Sequence, residues 1–220
     1  MESFRYHDLG RIAYADALEY QTAAFEVLLD AKATGKKEDN QLFFCEHLPV
    51  LTIGKSGKDS NLLIPEETLR ERGVSFYHIN RGGDITYHGP GQITGYPVFD
   101  LEYWNLGLKQ YIHMLEETII RFLSLYDLKG ERLEGATGVW LDPEVPGRAR
   151  KICAIGVKSS RFVTMHGFAL NINTDLSYFS FNPCGFTDKG VTSLAMELGV
   201  PQDFELAKSQ LRSIFMEIFA

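Results

Sequence analysis

The sequence predicts one α+β domain spanning residues 1–220, and three observations carry that expectation. Strand-like segments come in consecutive runs instead of alternating strictly with helices, which separates an α+β arrangement from a doubly wound sheet. Amphipathic segments with helical spacing lie near the start, in the middle and at the end of the chain. At 220 residues the chain suffices for one well-buried core, or at a stretch for two small domains, so a single domain is the simpler reading.

Taken in order, Leu18, Phe25, Leu28 and Leu29 fall on one face of a helix over residues 14–32, with Gly35 as its stop. "QLFFCEH" and "PVLTIG" read as two short strands separated at Pro49. "IPEETLRERG" is a compact helix: Pro65 suits the first turn, Glu66 and Glu67 complement its positive end, and Gly73 closes it. "VSFYHI" and "ITGYPVFDL" are strands on either side of a glycine-rich loop. Ile112, Leu115, Ile119, Phe122, Leu123 and Tyr126 trace a longer helix. "GVWL", "KICAIGV" and "FVTMHGFAL" follow as strands, and Phe204, Ala207, Leu211, Ile214, Phe215 and Ile218 mark a C-terminal helix. "LDPEVPGRAR" is the most insertion-like segment.

Composition excludes several classes. Apolar residues make up 45% and charged ones 23%, and no run approaches the length a membrane span needs. The start "MESFRYHDLGRIAY" has no basic stretch followed by an apolar block, so a cytoplasmic location is expected. Cys45, Cys153 and Cys184 are far apart and form no C-x-x-C pair, which argues for reduced thiols and against a disulfide framework or zinc knuckle. No H-E-x-x-H or similar spacing occurs among His7, His47, His78, His88, His113 and His166, so no metal is expected. A net charge of −7 disfavours nucleic acid as a partner.

The unusual stretch is "RGGDITYHGPGQ", from Arg81 to Gln92. It lacks the G-x-x-x-x-G-K-[ST] of a P-loop, and Thr94 stands where a dinucleotide fingerprint needs its third glycine. Its glycines fit a plain β connection or a site where backbone approaches a ligand, with residues 84–88 as a short strand bearing polar side chains.

This stretch resembles the signature of the lipoyl(octanoyl) transferase family, and the likeness extends in order through "EHLPVLTIGKSG", "YPVFDL", "TGVW", "KICAIGVK", "HGFALNIN" and "NPCG". The resemblance implies a mixed β-sheet flanked by helices, the catalytic fold shared with biotin and lipoate ligases. It implies octanoyl transfer from octanoyl-acyl carrier protein to a lysine of lipoyl domains, those of 2-oxoacid dehydrogenases and the glycine cleavage H-type protein, with no cofactor. Cys184 matches the family's acyl acceptor and Lys151 its partner. A thiol near pKa 8.5 is a few per cent thiolate at neutral pH, and lowering it by about 1.5 units takes roughly 2 kcal/mol, within reach of one nearby ammonium. Substrate contacts are implied at Arg81, Gly82, Gly83, Asp84, Ile85, Thr86, Tyr87 and His88, at Ala154, Ile155 and Gly156, and at Gly167, Phe168 and Ala169. Gly89 and Gly91 are expected to give the acyl chain room alongside Gly82 and Gly83.

Strand alternation places Cys153 on the face of Lys151, although the family's small residue there makes it and Cys45 packing residues. Acidic carrier proteins need a basic landing site on an acidic enzyme, and Arg148, Arg150, Lys158 and Arg161 are the expected cluster. Three rivals remain: an ATP-dependent lipoate-protein ligase, an octanoyl amidotransferase acting between lipoyl-type proteins, and a non-catalytic carrier-binding module.

Overall fold

The computed structural model describes residues 3–57, 65–181 and 189–220. In chain order its elements are β1 (Arg5–Ile12), α1 (Tyr14–Thr34), β2 (Gln41–His47), β3 (Val50–Ile53), α2 (Glu66–Glu71), β4 (Ser75–His78), β5 (Ile85–His88) and β6 (Gln92–Val98). There follow α3 (Leu108–Ser124), β7 (Glu131–Leu133), β8 (Ala136–Leu141), β9 (Arg150–Ser160), β10 (Val163–Asn171), β11 (Gly190–Val191), α4 (Leu194–Leu198) and α5 (Phe204–Ile218).

The large sheet runs β1-β2-β6-β10-β9-β8-β7, with β11 paired to β9. It is mixed: β1 lies parallel to β2, while β2, β6, β10, β9 and β8 pair antiparallel. A smaller sheet, β4-β3-β5, stands apart. Alternation along β2 explains why the large sheet is covered twice. Leu42 and Phe44 enter the main core with α3 and α5, whereas Phe43 and Cys45 face the other way, under Ala24, Phe25 and Leu28 of α1. The main core is aromatic, with Phe44, Phe168 and Phe215 in mutual ring contact. A third cluster joins Leu51, Ile53, Ile85 and Tyr87 of the small sheet to Leu69 of α2.

Local signals set the helix ends. Gly35 takes φ 69° after α1 and donates its N–H to the Ala31 carbonyl, and Asp203 caps α5 by accepting from the Leu206 N–H at 3.0 Å. Four elements were not anticipated from sequence: β1, β7, β11 and α4. The strand β1 is half exposed and carries Tyr6, His7, Asp8 and Arg11, so it has no apolar run to announce it. No helix among the described residues is long and apolar enough to cross a membrane.

Candidate functional site

Between the two sheets lies a cavity of about 530 Å³. Its floor is the face of the large sheet that α1 leaves uncovered. Gly167 on β10 pairs with Gly156 on β9, Ala169 pairs with Ala154, and Ala154 pairs in turn with Gly138 on β8. These small side chains leave a shallow trough, and close packing beneath requires them. A Cβ on Gly167 would stand 2.2 Å from the Gly95 carbonyl oxygen, and one on Gly156 would meet the Gly82 oxygen at 2.8 Å.

The glycine loop forms the facing wall, held by its own backbone. Gly82 donates its N–H to Val157 of β9 at 3.0 Å, while Lys55, Ser56 and Gly54 donate to the carbonyls of Arg81, Gly83 and Asp84. Gly83 has φ 87°, open to glycine. Arg81, 6% exposed, clamps the loop from within: its guanidinium donates to the Thr52 carbonyl and Oγ1, each at 2.8 Å, and to the Gly82 carbonyl at 2.9 Å.

The two ends differ. At one, the Lys151 ammonium donates to the Thr137 carbonyl at 3.2 Å and lies 4.6 Å from the centroid of the Trp140 ring. At the other, Tyr14, His88, Thr94, Tyr96 and His166 close the cavity. The histidines here are held neutral. His47, just behind, donates from Nδ1 to the Ile12 carbonyl at 3.1 Å, so its Nε2 accepts from the Tyr96 hydroxyl at 2.6 Å. Gln92 donates through Nε2 to Tyr87 and Asn171, which leaves its Oε1 to accept from His88 Nδ1 at 2.8 Å. Burial pushes His47 down to about 4. Burial, then His47 and Arg81, push His88 to about 3; burial, Arg81 and Lys158 do the same to His166.

The span between these ends follows from strand register. Lys151 Cε comes within 3.5 Å of where a Gly138 Cβ would stand, so the ammonium is level with Ala154. His166 pairs with Val157, three residues further along and two strands across, about 14 Å on the diagonal.

Of the positions singled out in the sequence, residues 81–86, His88, Lys151, 154–156 and 167–169 all line this cavity. Cys184 lies outside the described residues. Tyr87 is not a wall: alternation along β5 turns it into the small-sheet core, stacked on Tyr178 at 4.6 Å. Gly89 and Gly91 do not line the cavity either. They form a turn in which the Gly91 carbonyl accepts from Ile172 and Asn173, and its N–H donates to Glu46 at 2.6 Å.

Two further expectations are corrected. Cys153 does not share a face with Lys151, because the β8–β9 register shifts between Val139 and Trp140 and puts both Ile152 and Cys153 into the core; burial pushes that thiol up. The four basic residues form no cluster. Arg150 binds Glu197 and Asp142, both at 2.6 Å, and Arg148 binds Asp142 at 3.1 Å, while Arg161 stands in the turn past the opposite end of β9.

Tyr14, Thr94, Tyr96, Thr137 and His166 were missed from sequence. They come from three strands and a helix start with no shared motif, and only the positive φ of His166, 60°, sets one apart. No group of three or more metal-binding side chains occurs among the described residues.

Solved structures identify the fold. A bi-partite lipoate protein ligase from Thermoplasma acidophilum superposes with a TM-score of 0.72 at 15% identity, covering 99% of this chain and 84% of that one. A lipoate-protein ligase A bound with ATP gives 0.71 at 16% identity, covering 99% and 85%. The fold is therefore the α+β catalytic fold of lipoate-protein ligases.

The family model described as the lipoyl protein ligase A/B catalytic domain matches residues 13–216, and the chain belongs to that family. It is 99% identical, over all of both chains, to a Parabacteroides distasonis protein named octanoyltransferase. It is 58% identical to a Porphyromonas gingivalis protein of the same name, covering 98% of this chain and 44% of that one. The chain is an acyltransferase of this family.

Proposed function

We propose that the chain transfers an octanoyl group from octanoyl-acyl carrier protein to the lysine of a lipoyl domain, through a thioester on Cys184. One observation above all supports the reading. The trough from the Lys151 ammonium to the closed end suits a medium acyl chain: eight carbons extend about 9 Å, and one polar contact at the carbonyl adds about 3 Å.

In this mechanism the Cys184 thiolate attacks the thioester carbonyl and the carrier thiol leaves with a proton. The lipoyl-domain amine then forms the amide C–N bond as the Cys184 C–S bond breaks. Lys151 first balances the thiolate, gives its proton to the leaving carrier thiol, and as a neutral amine then takes the acceptor amine's proton, which restores the ammonium–thiolate pair as Cys184 departs. Arg81 and the floor glycines hold the chain in line. Residues 1–220 act as one catalytic domain in the cytoplasm, with lipoyl domains of 2-oxoacid dehydrogenases and the glycine cleavage H-type protein as acceptors.

Intact-protein mass after mixing with octanoyl-acyl carrier protein, without ATP, tests this. A hydroxylamine-sensitive octanoyl adduct on wild type and none on Cys184→Ala is expected. No adduct from a loaded carrier, with modification of the lipoyl domain only from free octanoate and ATP, would transfer the reading to a ligase.

A further inference from the structure

On the octanoyl-transfer reading the last carbons of the acyl chain reach the closed end of the cavity, which contains a side chain that an octanoyl methyl leaves unused. His166 is 4% exposed and lines the cavity, yet its ring nitrogens have no hydrogen-bond partner among the described residues. Of its neighbours, His88 is engaged through Gln92, Tyr96 through His47 and Arg81 through Thr52, while the buried Tyr14 hydroxyl at the same end is likewise unpaired among the described residues and adds a second polar group there.

The backbone at His166 is also unusual. Its φ of 60° lies in the left-handed region, which is uncommon outside glycine and in which asparagine, aspartate and histidine are the enriched residues, and its N–H donates to Gln21 Oε1 of α1 at 3.0 Å. An unpaired imidazole lining a buried cavity is a poor device for packing against a methyl group. It is a good one for meeting a polar atom.

We propose that His166 lets the closed end accept medium-chain acyl groups that carry a hydroxyl at the seventh or eighth carbon. This rests on the octanoyl-transfer reading, from which the direction of the chain in the trough is taken. The step balances as for octanoyl: the amide C–N bond forms, the thioester C–S bond breaks, and one amine proton ends on the carrier sulfur. The hydroxyl takes no part beyond a hydrogen bond to the ring.

The test compares octanoyl, 4-hydroxyoctanoyl and 8-hydroxyoctanoyl groups on the same acyl carrier protein, reading initial rates of transfer to a lipoyl domain. An apolar chain-end pocket rejects an added hydroxyl by roughly 100-fold. Wild type is expected to transfer the 8-hydroxy chain within about tenfold of octanoyl, and at least about tenfold faster than the 4-hydroxy chain, whose hydroxyl lies short of His166 over the glycine and alanine floor. His166→Leu should lower the ratio of 8-hydroxyoctanoyl to octanoyl by at least about tenfold. If that variant does not fold, the two wild-type comparisons decide. Equal rejection of both hydroxylated chains, or an unchanged ratio in the variant, would overturn the proposal while leaving octanoyl transfer standing. Transfer of none of the three chains would overturn both.

Discussion

The three neutral histidines make acid a specific stress on this fold. His88 and His166, both at about 3, and His47, at about 4, all sit below the ordinary value near 6.5. In the unfolded chain each takes a proton as the pH falls through that ordinary value; in the folded protein none does until far lower. The unfolded state therefore binds more protons, and stability present above pH 6.5 is lost as the pH falls towards the folded values. At pH 5 each site has lost about 2 kcal/mol, and the three together about 6 kcal/mol, much of the stability of an ordinary domain. The carboxylates held low by arginines, such as Glu197 and Glu117, titrate at still lower pH and do not confuse this window. Urea unfolding at pH 7.5, 6.5, 5.75 and 5.0 measures the effect. The expected slope below pH 6.5 approaches three protons, and His166→Asn, which tolerates the same backbone, should reduce it by one. A flat profile between pH 7 and 5 would refute the description of these rings as buried and neutral.

Other substitutions probe the walls. Arg81→Lys keeps the charge but loses the planar fork onto Thr52 and Gly82; a loss of about 2 kcal/mol in urea unfolding and a large fall in transfer rate are expected. Gly156→Ala drives a methyl against the Gly82 oxygen, so acyl loading should fall more than tenfold with only about 1–3 kcal/mol lost in stability. Glu116 accepts from the Gly138 N–H and Arg132 Nε, both at 3.1 Å, and so braces the β8 turn that holds Lys151. Glu116→Ala should cost about 3 kcal/mol by strand-resolved hydrogen exchange and thermal unfolding.

What could be read from the sequence, and what could not, divides along one physical line. The glycine loop stood out by its own composition, whereas Lys151 and the small residues of β9 and β10 were legible only because they fall in contiguous stretches that resemble the family's motifs. Glycine where backbones touch leaves a local mark. The errors came where register or long-range pairing decides. Cys153 looks equivalent to Lys151 until one extra residue at Ile152 turns it into the core. Tyr87 sits inside the motif but faces away from the cavity, since a four-residue strand must bury every second side chain in its own small sheet. Arg148 and Arg150 look like a free basic patch until Asp142 is brought to them by the β8–β9 pairing and Glu197 by the β9–β11 pairing and the helix that follows. His166 is the sharpest case. Its sequence context is an ordinary histidine before a glycine, and nothing but the three-dimensional arrangement reveals that the strand bends through a left-handed residue to leave an unpaired ring at the end of an acyl-sized trough. Local sequence thus marks much of the lining of this cavity, while the groups at its far end are brought together only by tertiary structure.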